Sequence, residues 1–256
     1  MTRRPNAAEG PPLLSADEPP PFELVNAAGS ARILLACDHA SNRIPRALGG
    51  LGLDAEQRGR HIAWDPGAAE VARGLAARLD APLILGSYSR LVIDLNRPLT
   101  SPESIPERSD GLPIPGNLGL TQPDRARRIG ELFRPYHEEI ARLLDARAER
   151  SPRLLSIHSF TPMLDGKHRP WHVGVAYRRD RRLAALLLPA FARSGDLRVG
   201  DNQPYGIDDE HDYTLPTHGE SRGIPHAMIE LRQDGLDTSA AIAVWVERLA
   251  QACADL

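Results

Sequence analysis

Polar residues with the chemistry of a hydrolytic site follow several apolar runs in this sequence. His39 follows one such run, His158 follows another, and Glu230 lies near the end of the last run, with Arg232 two residues later. A single histidine after an apolar run is more often a hydrogen-bonded structural residue than a metal ligand, but several polar strand ends in one chain favour a shared site. Two histidines and carboxylates at one rim have the composition of a zinc site with an open coordination position.

These residue types would support hydrolysis of an amide. Neutral imidazoles and a carboxylate hold Zn²⁺ and leave room for a water, whose pKa falls towards ~7. A separate glutamate can take the proton from that water and pass it to the leaving amine. An arginine can stabilise the oxyanion or hold a substrate carboxylate with two hydrogen bonds. Co²⁺ or Mn²⁺ would also fit a histidine and carboxylate site, so we expect a single divalent ion, with zinc preferred.

The elements that must position these residues alternate along the chain. Short apolar runs predict strands over residues 33–37, 83–85, 91–95, 154–157, 172–176 and 226–231. Helical spacing predicts helices over residues 66–79, 124–149 (kinked at Pro135), 181–194 and 238–253, with a long loop over residues 96–120. The order predicts an α/β fold, a three-layer αβα sandwich around a mostly parallel mixed sheet. Ligands of such sheets bind beyond the carboxyl ends of the strands, where the polar residues lie.

Composition excludes several other classes of protein. The chain has 256 residues, a formal net charge of -3 and two cysteines, so it offers no basic field for nucleic acid and no disulfide framework. No apolar run approaches the ~20 residues that span a bilayer. Lys167 is the only lysine, which disfavours a catalytic lysine. We expect a small-molecule substrate, no nucleic-acid or membrane partner and a cytoplasmic location, while the oligomeric state is open.

The chain divides into two parts of different composition. Residues 1–30 are rich in proline and predict a flexible N-terminal extension for most of their length, without the apolar segment of a secretory signal. A short strand or arm over residues 22–25 is the alternative for that part. Residues 31–256 predict a single domain.

The motifs resemble those of the N-formylglutamate amidohydrolase family, which shares the phosphorylase/hydrolase-like α/β architecture of the zinc carboxypeptidases. The resemblance extends from about Ile33 to Gly235. Its most specific segment is Ser89-Arg90-Leu91-Val92-Ile93-Asp94-Leu95-Asn96-Arg97-Pro98. The segment around Asp38-His39 and the one around Asp201-Asn202 look like those of a diverged branch.

The resemblance implies a role for each matching residue. His39 and His158 would be metal ligands. The third ligand would be Asp65, because Asn42 stands where zinc carboxypeptidases have a glutamate; Asp65 could instead be a helix N-cap. Glu230 would be the general base for a zinc-activated water, or else an ion-pair partner of Arg232.

Substrate contacts follow from the same resemblance. Asn96 and Arg97 would bind a substrate carboxylate, although Arg97 could instead pair with Asp94. Arg90 would supply a second anion contact or an oxyanion contact. Arg232 is a further candidate for substrate binding, and so is His218, which lies in a polar loop that could cover the site.

The favoured function is a zinc-dependent amidohydrolase that cleaves an N-acyl amino acid, with N-formylglutamate as the family's namesake substrate. A carboxypeptidase-like enzyme or a deacylase of another N-acyl amino acid would keep the mechanism and change the substrate. A metal- or carboxylate-binding module without turnover is a third possibility, which the general base Glu230 disfavours.

Overall fold

Strands and helices alternate along the residues that the computed structural model describes, which are 11–254 and 256. The strands are β1 (Phe22–Val25), β2 (Ile33–Cys37), β3 (Leu83–Gly86), β4 (Arg108–Ser109), β5 (Leu112–Pro113), β6 (Arg153–Phe160), β7 (Met163–Leu164), β8 (Lys167–His168), β9 (Val173–Ala176), β10 (Val199–Asp201) and β11 (His226–Arg232). The helices are α1 (Ala55–Gly59), α2 (Ala68–Leu79), α3 (Gln122–Arg128), α4 (Arg134–Asp145), α5 (Ala184–Ala192), α6 (Thr214–His218) and α7 (Ser239–Ala252).

The described residues form a seven-stranded mixed sheet in the order β1-β3-β2-β6-β11-β9-β10. Its four central neighbours, β3, β2, β6 and β11, are parallel to one another. β1 is antiparallel to β3 at one side, and β9 is antiparallel to β11 at the other. The carboxyl ends of β2, β6 and β11 therefore meet at one edge, and the short hairpins β4–β5 and β7–β8 lie outside the sheet.

Helices cover both faces of the sheet, because its central strands are apolar on both sides. In β2, Leu35 and Cys37 pack in one core with residues of α2, α5 and α7. Leu34 and Ala36 point to the opposite face and pack in a second core with residues of α4 and α6. This alternation is the period of two expected for a strand buried on both faces. The predicted three-layer α/β sandwich is confirmed.

Residues 11–30 contact the domain, although the sequence predicts a flexible extension there. Leu13 is buried, and its backbone N–H donates to Glu131 Oε1 at 2.8 Å. Phe22–Val25 forms β1, which adds an edge strand beside β3 and gives its backbone groups partners. The first ten residues of the predicted extension lie outside the described part of the chain.

The segment 91–95 is a series of turns, where the sequence predicts a strand. The residues are buried, so the apolar run correctly indicates a position in the core. Their backbone hydrogen bonds are local, however: the Val92 N–H donates to the Ser89 carbonyl at 2.9 Å and the Asp94 N–H to the Ser104 carbonyl at 2.8 Å. Periodicity alone does not distinguish a buried strand from a buried turn of this length.

The predicted long helix over residues 124–149 is present from Gln122 to Asp145 and changes its winding before Pro135. α3 ends at Arg128, a π-helical turn (Ile129–Phe133) follows, and α4 begins at Arg134 directly before Pro135. Proline has no N–H for the helical ladder and its ring crowds the preceding turn, which explains why the wider π-helical turn lies directly before it.

Candidate metal centre and active site

Three parallel strands deliver the central residues of the site. His39 lies two residues after the end of β2, His158 lies within β6, and Glu230 lies within β11. Glu230 is the direct register partner of His158. The polar residues that the sequence places at three separate strand ends are therefore brought to one edge of the sheet.

His39, Asp65 and His158 form a buried cluster with the donor set of a metal centre. Their ligand atoms lie within 4.8 Å of one another. Asp65 Oδ2 is 2.9 Å from His158 Nδ1 and 3.4 Å from His39 Nδ1. His39 Nδ1 is buried and has no hydrogen-bond partner among the described residues. A buried donor or acceptor without a partner costs free energy, so a metal ion bound to this nitrogen would relieve an unfavourable contact.

A carboxylate holds the far nitrogen of each histidine. His39 Nε2 is 2.7 Å from Asp94 Oδ1, and His158 Nε2 is 3.0 Å from Asp38 Oδ2. Carboxylates in this position orient an imidazole and leave its other nitrogen for a metal. Two independent histidine–carboxylate pairs, both with Nδ1 turned to the same acid, fit a divalent ion.

Charges dominate the protonation of this cluster. Burial by itself lowers the pKa of His158, but hydrogen bonds and charges from Asp38 and Asp65 outweigh burial and hold that pKa well above its ordinary value. Burial raises the pKa of Asp65, but the two histidines outweigh it and hold that pKa below its usual range. The proton on His158 therefore compensates the negative charge of Asp38 and Asp65, and a bound cation would take over that role.

Asp65 is not the cap of α2, and Asn42 is not part of the cluster. α2 begins at Ala68, with Gly67 at its N-cap and without a side-chain cap. Gly67 has φ +80°, a conformation that favours glycine, and this bend turns the chain from Asp65 into the helix. The Asn42 side chain donates instead to the Arg58 carbonyl at 3.0 Å.

Glu230 is a buried carboxylate next to the cluster. Its Oε2 has no hydrogen-bond partner among the described residues. Burial raises the pKa of Glu230 to about 7, with His158 opposing the shift. Within the described residues it does not form the ion pair with Arg232 that was the alternative interpretation: Arg232 Nε donates to Asp234 Oδ1 at 2.7 Å. A carboxylate that titrates near neutrality and has a free oxygen has the properties of a general base.

Arg90 and Arg97 lie at the site with different acids. Arg90 Nη2 donates to Asp94 Oδ2 at 2.8 Å, and its Nη1 is 3.6 Å from Asp65 Oδ1. Arg97 Nε donates to Glu103 Oε2 at 3.2 Å, so the alternative pairing of Arg97 with Asp94 is not what the side chains form. Arg90 therefore lies between Asp65, an acid of the cluster, and Asp94, the carboxylate that contacts His39.

The Asn96 amide is used within the protein. Its Nδ2 donates to Asp212 Oδ1 at 2.9 Å, and its Oδ1 accepts from the backbone N–H groups of Tyr213 and Thr214. These contacts tie the segment before α6 to the site. His218 lies on α6, buried against His137, with 3.1 Å between His218 Nε2 and His137 Nδ1.

A cavity of about 190 Å³ lies above the cluster. Seven of the residues predicted from sequence line it: His39, Asp65, Arg90, Asn96, Arg97, His158 and Glu230. Arg232 and His218 are not among its lining residues. The lining also includes residues to which the sequence analysis assigned no role: Ser159, Arg169, Tyr205, Asp212 and Gln233.

Some residues at the site have no role predicted from the sequence, and they differ in how far a local sequence pattern indicates them. Asp38 directly precedes His39, and Asp94 lies in the most specific motif, so both were visible as acids near the site. Arg169 and Tyr205 lie in loops, and their approach to the cavity depends on the packing of distant segments.

An α/β sheet with acids, histidines and a cavity at the carboxyl ends of its parallel strands is the arrangement of an α/β enzyme. The family model of N-formylglutamate amidohydrolase matches residues 31–236, and the chain belongs to that family. It is therefore a member of a family of hydrolases, and the resemblance seen in the sequence is confirmed.

The solved structures that are similar to this chain include the following two. The crystal structure of a gene product of Agrobacterium tumefaciens has 35% sequence identity and a TM-score of 0.91, over 95% of this chain and 97% of that chain. The crystal structure of N-formylglutamate amidohydrolase from Ralstonia eutropha JMP134 has 17% identity and a TM-score of 0.61, over 91% of this chain and 95% of that chain; this likeness shows the fold. No curated protein matches the chain. Among the described helices, none has the length and apolarity to cross a membrane.

Proposed function

We propose that this protein is a zinc-dependent amidohydrolase that cleaves the amide bond of an N-acyl amino acid such as N-formylglutamate. The observation that carries the proposal is the free carboxylate of Glu230 beside the His39, Asp65 and His158 cluster. Membership of the amidohydrolase family supports the reaction class. A protein that only bound a metal or a carboxylate would have no use for a buried, unpaired base next to the donor set.

His39 Nδ1, His158 Nδ1 and a carboxylate oxygen of Asp65 would hold the metal. Two imidazoles and a carboxylate are a common donor set for zinc in hydrolases, and other divalent ions of the first transition row also accept it. When bound, the ion supplies Lewis acidity that polarises the amide carbonyl and makes a water more acidic.

Glu230 moves the proton. Because burial raises its pKa to about 7, Glu230 accepts a proton from the attacking water readily at neutral pH and returns it to the amide nitrogen as the amine leaves. A carboxylate with the ordinary pKa of an exposed glutamate would be a weaker base for this step.

Arg90 positions the acids and faces the cavity. Its guanidinium bonds Asp94 and lies near Asp65, and it is partly exposed at the cavity wall. We propose that the same guanidinium stabilises the negative charge that develops on the carbonyl oxygen of the substrate.

A larger acyl group is the second candidate. A cavity of about 380 Å³ adjoins the first and shares His61, Arg90 and Arg97 with it. This neighbouring space favours a deacylase whose substrate has a longer acyl group or a second amino-acid residue. A panel of N-formyl, N-acetyl and N-aminoacyl derivatives of glutamate, compared by kcat/KM, separates the two candidates.

The test of the reaction is Glu230→Gln. We expect the zinc-loaded variant to keep its metal. Its kcat for formate release from N-formylglutamate should fall about 10²- to 10⁴-fold, because the side-chain amide that replaces the Glu230 carboxylate cannot accept a proton from the water. Metal content is measured by mass spectrometry of the purified protein. Glu247→Gln, a variant of an exposed glutamate paired with Arg78, is the matched control. Full activity in Glu230→Gln, or no hydrolysis of any N-acyl amino acid by the zinc-loaded wild type, contradicts the proposal.

A further inference from the structure

We propose that Arg169 anchors a carboxylate of the substrate and so selects anionic N-acyl amino acids; this inference rests on the proposed function. Arg169 lies between β8 and β9 and lines the cavity above the metal cluster. It is 7% exposed. The resemblance seen in the sequence implies Asn96 and Arg97 as the carboxylate contacts instead.

Neutral groups hold the Arg169 side chain in place. Its Nε donates to the Thr161 carbonyl at 2.7 Å, and its Nη1 donates to the Tyr205 hydroxyl. The guanidinium lies over the rings of Phe160 and Tyr205, 4.9 and 5.3 Å from their centroids. These contacts orient the guanidinium and leave its positive charge uncompensated.

Arg169 has no acid partner in the part of the chain that the structure describes. No carboxylate of residues 11–254 lies within 4.0 Å of its nitrogens, and its Nη2 has no acceptor there. Burial of an unpaired charge is unfavourable, and the cost is relieved when an anion binds. A buried cation that faces a cavity and is held by neutral groups is therefore a preformed anion site.

The other two arginines of the cavity differ in this respect. Arg90 is bonded to Asp94 and Arg97 to Glu103. A substrate carboxylate that approached either residue would meet the acid already paired with it. At Arg169 it would meet a fixed guanidinium whose Nη2 has no acceptor among the described residues, so its N–H groups can donate to a carboxylate oxygen.

Binding of a carboxylate probe tests this site without turnover. We measure the affinity of zinc-loaded protein for glutarate and for its neutral diamide, glutaramide, by isothermal titration calorimetry. We expect the wild type to prefer glutarate, and Arg169→Gln to weaken glutarate binding roughly 10- to 100-fold, as for loss of a charge-assisted pair. Arg181→Gln is the matched control, because Arg181 also lies over a tyrosine ring, that of Tyr177, but pairs with Asp201 away from the cavity.

Kinetics then identify which carboxylate is bound. We compare N-formylglutamate with N-formylglutamine and with the α-amide of N-formylglutamate. We expect one of the two amides to lose most of its kcat/KM with wild type, and we expect Arg169→Gln to abolish that discrimination. Tyr205→Phe removes only the hydroxyl acceptor of Arg169. It should raise the KM for N-formylglutamate several-fold with little change in kcat. This variant keeps the proposal testable if Arg169→Gln does not fold.

The possible failures are distinguishable. Unchanged glutarate affinity in folded Arg169→Gln, or a larger loss in Arg97→Gln than in Arg169→Gln, overturns the assignment of Arg169. If the wild type hydrolyses no N-acyl amino acid but binds glutarate through Arg169, the proposed function fails and the carboxylate site stands.

Discussion

Two buried pairs of histidines in this molecule have opposite surroundings. In the first, His39 and His158 each have a carboxylate at the far nitrogen and share Asp65 at the near one. In the second, His137 Nδ1 and His218 Nε2 are 3.1 Å apart, and His137 Nε2 is 2.8 Å from the Leu95 carbonyl oxygen. Among the described residues, no carboxylate lies within 4.0 Å of the second pair.

The surroundings set the protonation and the use of each pair. Burial lowers the pKa of His137 to about 4, and burial together with the neighbouring His137 lowers that of His218 to about 3. In the first pair, acids outweigh the same burial and raise the pKa of His158. The first pair is a candidate metal centre because carboxylates surround it. The second pair is a neutral contact in the core, where the His137 ring packs against Phe133 and Tyr213.

The largest expected effect separates the two pairs directly. We expect His158→Gln to lose its bound zinc and at least about a thousandfold in hydrolysis, since the Lewis acid accounts for several kcal/mol of the barrier. We expect His218→Gln to keep its zinc. Metal content of the two purified variants, each checked for folding by circular dichroism, decides the matter. Equal loss of zinc from His158→Gln and His218→Gln would contradict the assignment of the metal to the first pair alone.

A smaller effect tests the carboxylates that distinguish the first pair. Asp94→Asn should weaken zinc affinity about 10- to 100-fold, because an amide orients and polarises the His39 ring less well. The measurement is competition with a chromophoric chelator. Asp212→Asn serves as control, since Asp212 is also buried but its carboxylate bonds Asn96 and the Asp208 N–H. Equal affinities of Asp94→Asn and wild type would show that Asp94 does not orient the ligand.

The third prediction concerns the second pair and the free energy of unfolding. Above pH 6.5 His218 is neutral in both the folded and the unfolded chain; below it, the unfolded chain takes up a proton that the folded chain, with a pKa of about 3, does not. The free energy of unfolding therefore falls as pH drops from 6.5 towards 3. Between pH 7 and 5 the metal-free wild type should lose about 2 kcal/mol more than His218→Gln.

Urea unfolding of both proteins at each pH measures this difference. Subtraction removes the contributions of Glu230 and of the acids in the first pair, which both proteins share. Parallel curves for wild type and His218→Gln would mean that His218 titrates normally in the folded state.

Much of the fold was predictable because its signals are local. The apolar runs of β2, β6 and β11 lie where the sequence predicts them, and so does α2, because burial on both faces leaves continuous apolar runs and an amphipathic helix leaves a periodic one. The segment 91–95 was predicted as a strand for the same reason, and the prediction failed because its hydrogen bonds are formed with neighbouring turns. The polar neighbours of His218 predict a loop that covers the site. His218 instead lies on α6, with its ring against His137.

Local sequence patterns are enough to predict which residue types reach the carboxyl edge of the sheet, since His39, His158 and Glu230 are placed by the strands that contain or precede them. The acid that completes the cluster, and the arginine that has no acid partner among the described residues, follow from the packing of distant segments. Asp65 and His158 are 93 positions apart, and Asn96 and Asp212 are 116 apart, yet each pair is in hydrogen-bond contact. Such contacts depend on how distant loops pack over the sheet, and no local pattern of apolar and polar residues encodes that packing.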